Sequence, residues 1–331
     1  MTAGDFKSFC LPDCQIGTSS ATIHATMPKV CIETGEYRRK VVKDVVDQLG
    51  DPFLERCKKA TLILIKVNLV HHENQLAGTH VDAVRGVLDV IRTHTGVPVV
   101  VGDASYHGTK AAFRNFGYER LPEEYAKVML VDLNDDAHVD GTITLGDGSP
   151  MTIRRSKMAH DADLTISLTN MKTHRDVGVS LSVKNWSVGT WLVPPRIGLT
   201  GRVWSRSPWM HAQGPRAHHR AIAELFQQRP CDVAVIDGIL AMEGDGPTRG
   251  TPVPMHLALA GFDAVAVDAI GTTLMSIDPH AIGYLEFCAE MGLGVNDVAK
   301  IDFPPAVIAQ HTRPFQLPTA TKEHLLDWQT S

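Results

Sequence analysis

Short runs of β-branched and aliphatic residues recur along this chain. TLILIKV (61–67), VPVVVGD (97–103), VMLVDL (128–133), ADLTISL (162–168), DVAVIDG (232–238) and MHLALAG (255–261) are each bounded by polar residues or glycine. Runs of this length and composition predict strands buried on both faces. Between them, apolar residues return at helical spacing. Val41, Val42, Val45, Val46 and Leu49 form one stripe, with Thr34 expected as its N-cap; Val84, Val87, Leu88 and Ile91 form another behind Thr79; Asp263 is expected to cap AVAVDAIGTTLMS. The alternation predicts an α/β fold, a mainly parallel, doubly wound sheet with helices on both faces. GTITLGDGSPMTIRR (141–155) breaks the rhythm, because Gly146, Asp147 and Gly148 between two alternating runs predict a small β-hairpin insertion. No internal repeat and no low-complexity linker divides the sequence. At 331 residues it is read as an N-terminal α/β half, 1–155, and a C-terminal half, 156–331, or as one large domain.

Composition narrows the function classes. The formal net charge is −5 and the pI about 6.3, with no basic run able to track phosphates, so no nucleic-acid partner is expected. Cys10, Cys14, Cys31, Cys57, Cys231 and Cys288 are too dispersed for a disulfide scaffold and form no C-x-x-C pair, which fits a cytoplasmic protein. No leader pattern and no long apolar run appears, so no membrane span is expected.

The ends of the predicted strands carry the chemistry. Lys66 and Asn68, Asp103 and Ser105, Asn170, Lys172 and His174, and Asp237 all fall where a strand runs out. In parallel sheets, ligands sit in the crevice beyond those carboxyl ends. Four polar exits therefore predict one pocket for a small molecule, with Lys66, Asn68, Asp103, Lys172 and Asp237 in its wall. TNMKTHRDVGVSLSVKNWSVGT (169–190) holds Lys172 and Lys184 in a stretch without glutamate. A lysine in a partly dry pocket pairs with an anion or works as a base at lowered pKa; the plain alternative is a structural ion pair with Asp103 or Asp237. His174 is a proton carrier, a metal ligand or a hydrogen-bonded structural residue.

DGILAMEGDGPTRG (237–250) sets Asp237, Glu243 and Asp245 among four glycines. These carboxylates either tune the lysines, cap helices, or ligate a divalent metal through oxygen. His211, His218 and His219 are weak zinc candidates, lacking regular spacing and a fourth ligand. Ser105 and Thr109 flank Gly108 before a helix, where free N–H groups can hold an anion, but the stretch matches neither the dinucleotide nor the P-loop pattern. NAD and ATP are not expected. His80, Asn170 and Asn185 complete the expected substrate-binding set. Trp186, Trp191, Trp204 and Trp209 crowd, with Arg196, Arg202 and Arg206, into a stretch broken by proline and glycine. It reads as a lid that puts Trp186 and Trp191 beside the substrate, or else as a core flap or homo-oligomer interface.

The pieces LIKVNLV, GTHVDAVRGVLDVI, VVVGDAS, FGY, MKTH with SVKNWSVG, DGILAMEGDGPTRGTPV and DAVAVDAIGTTLMSIDP together resemble domain-of-unknown-function family 362, over roughly residues 60 to 300. The resemblance implies an α/β fold and a shared site. Many members carry cysteine-rich iron–sulfur segments; this sequence has no such spacing, and no cluster is expected. The βα architecture alone also resembles that of nickel-cofactor lactate racemases. The expectation is an enzyme, non-redox, acting as isomerase, cyclase, lyase or transferase on a small anionic substrate with an apolar part. Lys172 and Lys184 would hold or polarise the anion, His174 move protons, and Asp103, Asp237 and Glu243 tune them. A metal-dependent enzyme and a non-catalytic binding protein are the alternatives.

Overall fold

A computed structural model describes residues 26–192, 210 and 213–330. Among these, β1 (Val30–Thr34), β2 (Ile63–Lys66), β3 (Val99–Asp103), β4 (Val128–Asp132), β7 (Leu164–His174), β9 (Val233–Glu243) and β11 (Leu257–Gly261) build one sheet in the order β1-β11-β9-β7-β2-β3-β4. The short strands β8 (Gly178–Val179) and β10 (Thr251–Val253) extend β7 and β9. From β9 to β4 all neighbours are parallel, whereas β11 runs antiparallel to both β9 and β1. The sheet is thus mainly parallel, and strands from both sides of residue 155 share it. The expected hairpin is β5 (His138–Thr144) with β6 (Pro150–Ser156), closed where Gly148 takes φ 83°.

Side-chain alternation divides the core. Ile63, Ile65, Val99, Val101, Val233 and Val235 face α1 (Arg38–Asp47), α2 (Gly50–Lys59) and α3 (Val81–His94). Leu64, Val100, Ala234, Ile236 and Leu259 face the other layer. That layer holds α7 (Ser182–Gly189), α8 (Pro215–Gln228), α9 (Ala264–Leu274) and α10 (Gly283–Glu290). Two expected caps are corrected. Thr34 ends β1, a strand absent from the sequence reading, and α1 starts after Tyr37 without a side-chain cap. Thr79 is buried, its hydroxyl bridging Asn68 N and Leu168 O, and His80 caps α3 by accepting from Asp82 N. Asp263 caps α9 as expected, accepting from Ala266 N.

The chain turns back at β2. After β2 it winds outward through β3 and β4; after the hairpin it returns to lay β7 on the other side of β2. This reversal makes the carboxyl ends of β2 and β7 the topological switch point, where the diverging connections leave a crevice.

Candidate active site

A cavity of about 530 Å³ lies at that switch point. Its wall is drawn from the segments that follow β2, β3, β7 and β9, together with α7. Helix α7 is held in place by tertiary structure: Leu181 offers no side-chain cap, and the buried carboxylate of Asp268 on α9 accepts from Ser182 N (2.8 Å) and Val183 N (2.9 Å) instead. Burial pushes the Asp268 carboxyl up to about 8 despite these donors. Fixed in this way, α7 presents Lys184 and Asn185 to the cavity and buries Trp186.

Beneath the cavity floor Lys66 Nζ is fully enclosed. It pairs with Asp103 Oδ1 at 2.8 Å and donates to Val67 O (2.7 Å) and Asn185 Oδ1 (2.5 Å). Asp103 Oδ2 accepts from Leu69 N at 2.7 Å, so the carboxylate is satisfied on both oxygens. Gly189 makes room for this pair: a Cβ there would stand 2.0 Å from Lys66 Nζ. Asn185 Nδ2 donates to Ser167 Oγ (3.0 Å) and Lys66 O (3.2 Å), which fixes its amide orientation, and Asn68 Nδ2 donates to Asn185 Oδ1 at 3.1 Å. Asn68 Oδ1 is thereby turned toward Lys172.

Lys172 differs from Lys66 in what surrounds it. Its Nζ, also fully buried, donates to Asn68 Oδ1 (2.6 Å) and Ala77 O (2.5 Å). Among the described residues no carboxylate stands within ion-pairing distance of it. Burial holds its pKa well below the usual lysine value, and the nearby charges of Lys184 and Lys66 push the same way against Asp103. His174 lines the same cavity; its Nδ1 accepts from Asp176 N at 3.1 Å, which places the proton of a neutral ring on Nε2.

The structure brings together Asn68, Asp103, Ser105, Lys172, His174, Lys184, Asn185 and Asp245 in the cavity wall, with Lys66 directly behind them. Other expected residues lie elsewhere. Asp237 continues the row of Val233 and Val235 on the opposite face of the sheet, where it meets Arg38 Nε at 2.8 Å; burial raises its pKa. Glu243 accepts from Gln316 N and anchors the C-terminal segment. Asn170 donates to Leu76 O, His80 caps α3, and Thr109 donates to Asp103 O and accepts from Ser105 N. None of these five lines the cavity.

Trp186 and Trp191 are core residues with no solvent exposure, and Trp186 Nε1 donates to Arg229 O. Their expected place beside a substrate is corrected, because each fills the layer beneath α7. The remainder of the tryptophan-rich stretch, with Trp204, Trp209 and the three arginines, lies outside the described residues, as does His211. His219 is buried against Tyr284, accepting from its N–H, and its pKa is depressed to about 3 by burial. The three metal candidates Asp237, Glu243 and Asp245 have separate surroundings, and among the described residues no three His, Cys, Asp or Glu side chains gather into a metal-holding group.

Sequence reading missed Tyr106, His107 and Arg249, all in the cavity wall, and took His218, which also lines it, only as a weak zinc candidate. The stretch that follows VVVGDAS could have pointed to the first two, since loops after parallel strands form the crevice. His218 reaches the cavity from α8, away from the strand ends that supply the other residues.

The sequence profile described as "Domain of unknown function (DUF362)" matches residues 63–273, which span β2 to α9 and include every residue of the cavity wall. The chain belongs to the DUF362 family. A relative, the thylakoid-associated protein sll1697 of Synechocystis sp., is 25% identical over 253 residues, covering 75% of this chain and 73% of its own. The lactate racemase apoprotein of Thermoanaerobacterium thermosaccharolyticum is similar in structure, with a TM-score of 0.47 and 17% identity. That match covers 75% of this chain and 57% of the racemase chain. This DUF362 protein therefore spans little more than half the length of that solved structure. No helix among its described residues is long and apolar enough to cross a membrane.

Proposed function

We propose that this DUF362 protein is an enzyme whose switch-point cavity binds a small anionic substrate with an apolar part and transforms it by acid–base and electrostatic catalysis. The observation that carries this reading is Lys172: a lysine nitrogen buried in the cavity wall, with neutral oxygens as its acceptors and no carboxylate partner among the described residues. A buried charge without a counter-ion is costly in a resting protein. The cost falls if the group is neutral at rest, serving as a base, and becomes charged only with an anionic substrate beside it. Lys184 supplies positive charge on the same wall, His174 a second proton carrier, and Val70, Ala104, Tyr106 and Met210 the apolar contacts. The Lys66–Asp103 pair holds Asn185 and Asn68 in register and does not itself act on the substrate. The reaction is non-redox, an isomerisation, cyclisation, elimination or group transfer. Cys31, Cys57, Cys231 and Cys288 are free thiols, in keeping with a cytoplasmic setting.

The test is a panel of small carboxylates, phosphates and sulfates screened by thermal stabilisation against the native chain, Lys172→Met and Lys184→Met. Stabilisation by apolar-bearing anions that disappears in both variants, while their own unfolding curves stay two-state, supports the reading. Equal stabilisation of all three proteins overturns it.

A further inference from the structure

Lys172 offers more than charge. A neutral primary amine has two N–H bonds and one lone pair, whereas an ammonium has three donors and none. Nζ of Lys172 has two oxygen acceptors among the described residues, Asn68 Oδ1 and Ala77 O. That arrangement satisfies an amine completely and would leave the third N–H of an ammonium without an acceptor from those residues. The two acceptors are not adjustable. Ala77 O is backbone, and the Asn68 amide is locked by its own bond to Asn185, which Lys66 and Ser167 hold in turn. The site therefore leaves Lys172 a nitrogen lone pair just beneath the wall of a cavity that also carries Lys184.

We propose that Lys172 is a nucleophile that captures a 2-oxo carboxylate as a covalent imine, Lys184 holding the carboxylate. This deepens the proposed function and rests on its reading of the cavity as an anion site. The Nζ lone pair forms the new C–N bond as the carbonyl π pair moves to oxygen. Both amine hydrogens then leave with that oxygen as one water, so amine and carbonyl give imine and water with no redox partner. An imine at this carbon acts as an electron sink for the proton shifts, eliminations and cyclisations named above. Burial and the neighbouring lysines lower the proton affinity of Lys172 and so favour its unprotonated form, the same two effects that activate amine nucleophiles generally.

The experiment incubates the native chain with pyruvate or phenylpyruvate and cyanoborohydride, then locates reduced adducts by peptide mapping. No variant has to fold for this readout. Lys172 should be labelled at least about tenfold faster than exposed Lys58 and Lys300, since each unit by which a pKa stands lower raises the amine fraction about tenfold. Uncharged acetone should label it more slowly. If phenylpyruvate raises the melting temperature in a Lys184-dependent way while Lys172 stays unlabelled, the nucleophile is refuted and the anion site stands. If the oxo acids neither stabilise nor label, both fall.

Discussion

Two cation–carboxylate pairs, each with a buried carboxylate, stand at the carboxyl edge of the sheet, one on each face, and only one of them belongs to a cavity. Lys66 and Asp103 meet at 2.8 Å under α7; Arg38 and Asp237 meet at 2.8 Å under α1 and α3. Asp103 ends β3, Asp237 sits in the middle of β9 where its regular pairing with β7 stops, and both are almost wholly buried. They differ in what lies beyond them. Past Lys66 the chain diverges to either side of β2 and leaves 530 Å³ open. On the other face, α1 starts directly over Asp237 and closes the space with Arg38. A buried, ion-paired carboxylate therefore marks a charge network, and the fork in strand order decides whether that network borders a cavity.

The largest effect is expected where neither partner can escape its charge. Lys66→Met leaves Asp103 buried opposite no cation, and chemical denaturation should show a loss of about 3 to 5 kcal/mol. Arg38→Met should cost less, about 1 to 3 kcal/mol, because Asp237 already has a raised pKa and can take up a proton. The sign follows from linkage. A carboxyl whose folded pKa stands above its unfolded value stabilises the fold at low pH and loses that contribution as pH rises through the folded pKa. Arg38→Met should thus be milder at pH 5 than at pH 8, and a pH-independent deficit would break the contrast between the two pairs.

Lys172→Met should invert the Lys66 result. Stability should hold or rise slightly, while kcat with an identified substrate should fall by about 10²-fold or more. Because the folded pKa of Lys172 is depressed, the unfolded chain binds the extra proton below 10.5; native stability should rise with pH across that window, and the variant should flatten the rise. Gly189→Ala comes next, at about 1 to 3 kcal/mol, since the added methyl meets Lys66 Nζ. In a Lys66→Ala background that penalty should largely vanish, a coupling read directly from a double-mutant cycle. Smallest is Glu243→Gln, which weakens one hydrogen bond to Gln316 N; it should cost about 0.5 to 1.5 kcal/mol and leave catalysis unchanged.

Much of this was legible before any fold. The aliphatic runs became strands, the Gly-Asp-Gly signal became the hairpin turn, and Asp263 capped its helix, because each depends on a few consecutive residues. Asn68, Asp103, Lys172, His174 and Lys184 reached one cavity because strand ends in a parallel sheet share an edge. Asp237 shared that edge and still went elsewhere. Strand periodicity gives two faces without saying which neighbour covers each, and a register irregularity between Asn170 and Lys172 separates a residue outside the cavity from one in its wall. Trp186 and Trp191 were misread as ligand contacts because composition alone does not distinguish an aromatic core from an aromatic lid.

The sequence by itself determined the elements and the stock of charged groups at their ends, since propensity, periodicity and turn chemistry act over neighbouring residues. Tertiary structure alone decided which charges are paired. Asp268 had to arrive from α9 to cap α7, α7 had to bring Asn185 to Lys66, and Asn185 had to turn Asn68 toward Lys172, each contact joining residues far apart in the chain. Ion pairing falls off within a few ångströms and depends on burial, so a lysine is ion-paired at position 66 and held by neutral oxygens at position 172 only once the fold has set their surroundings.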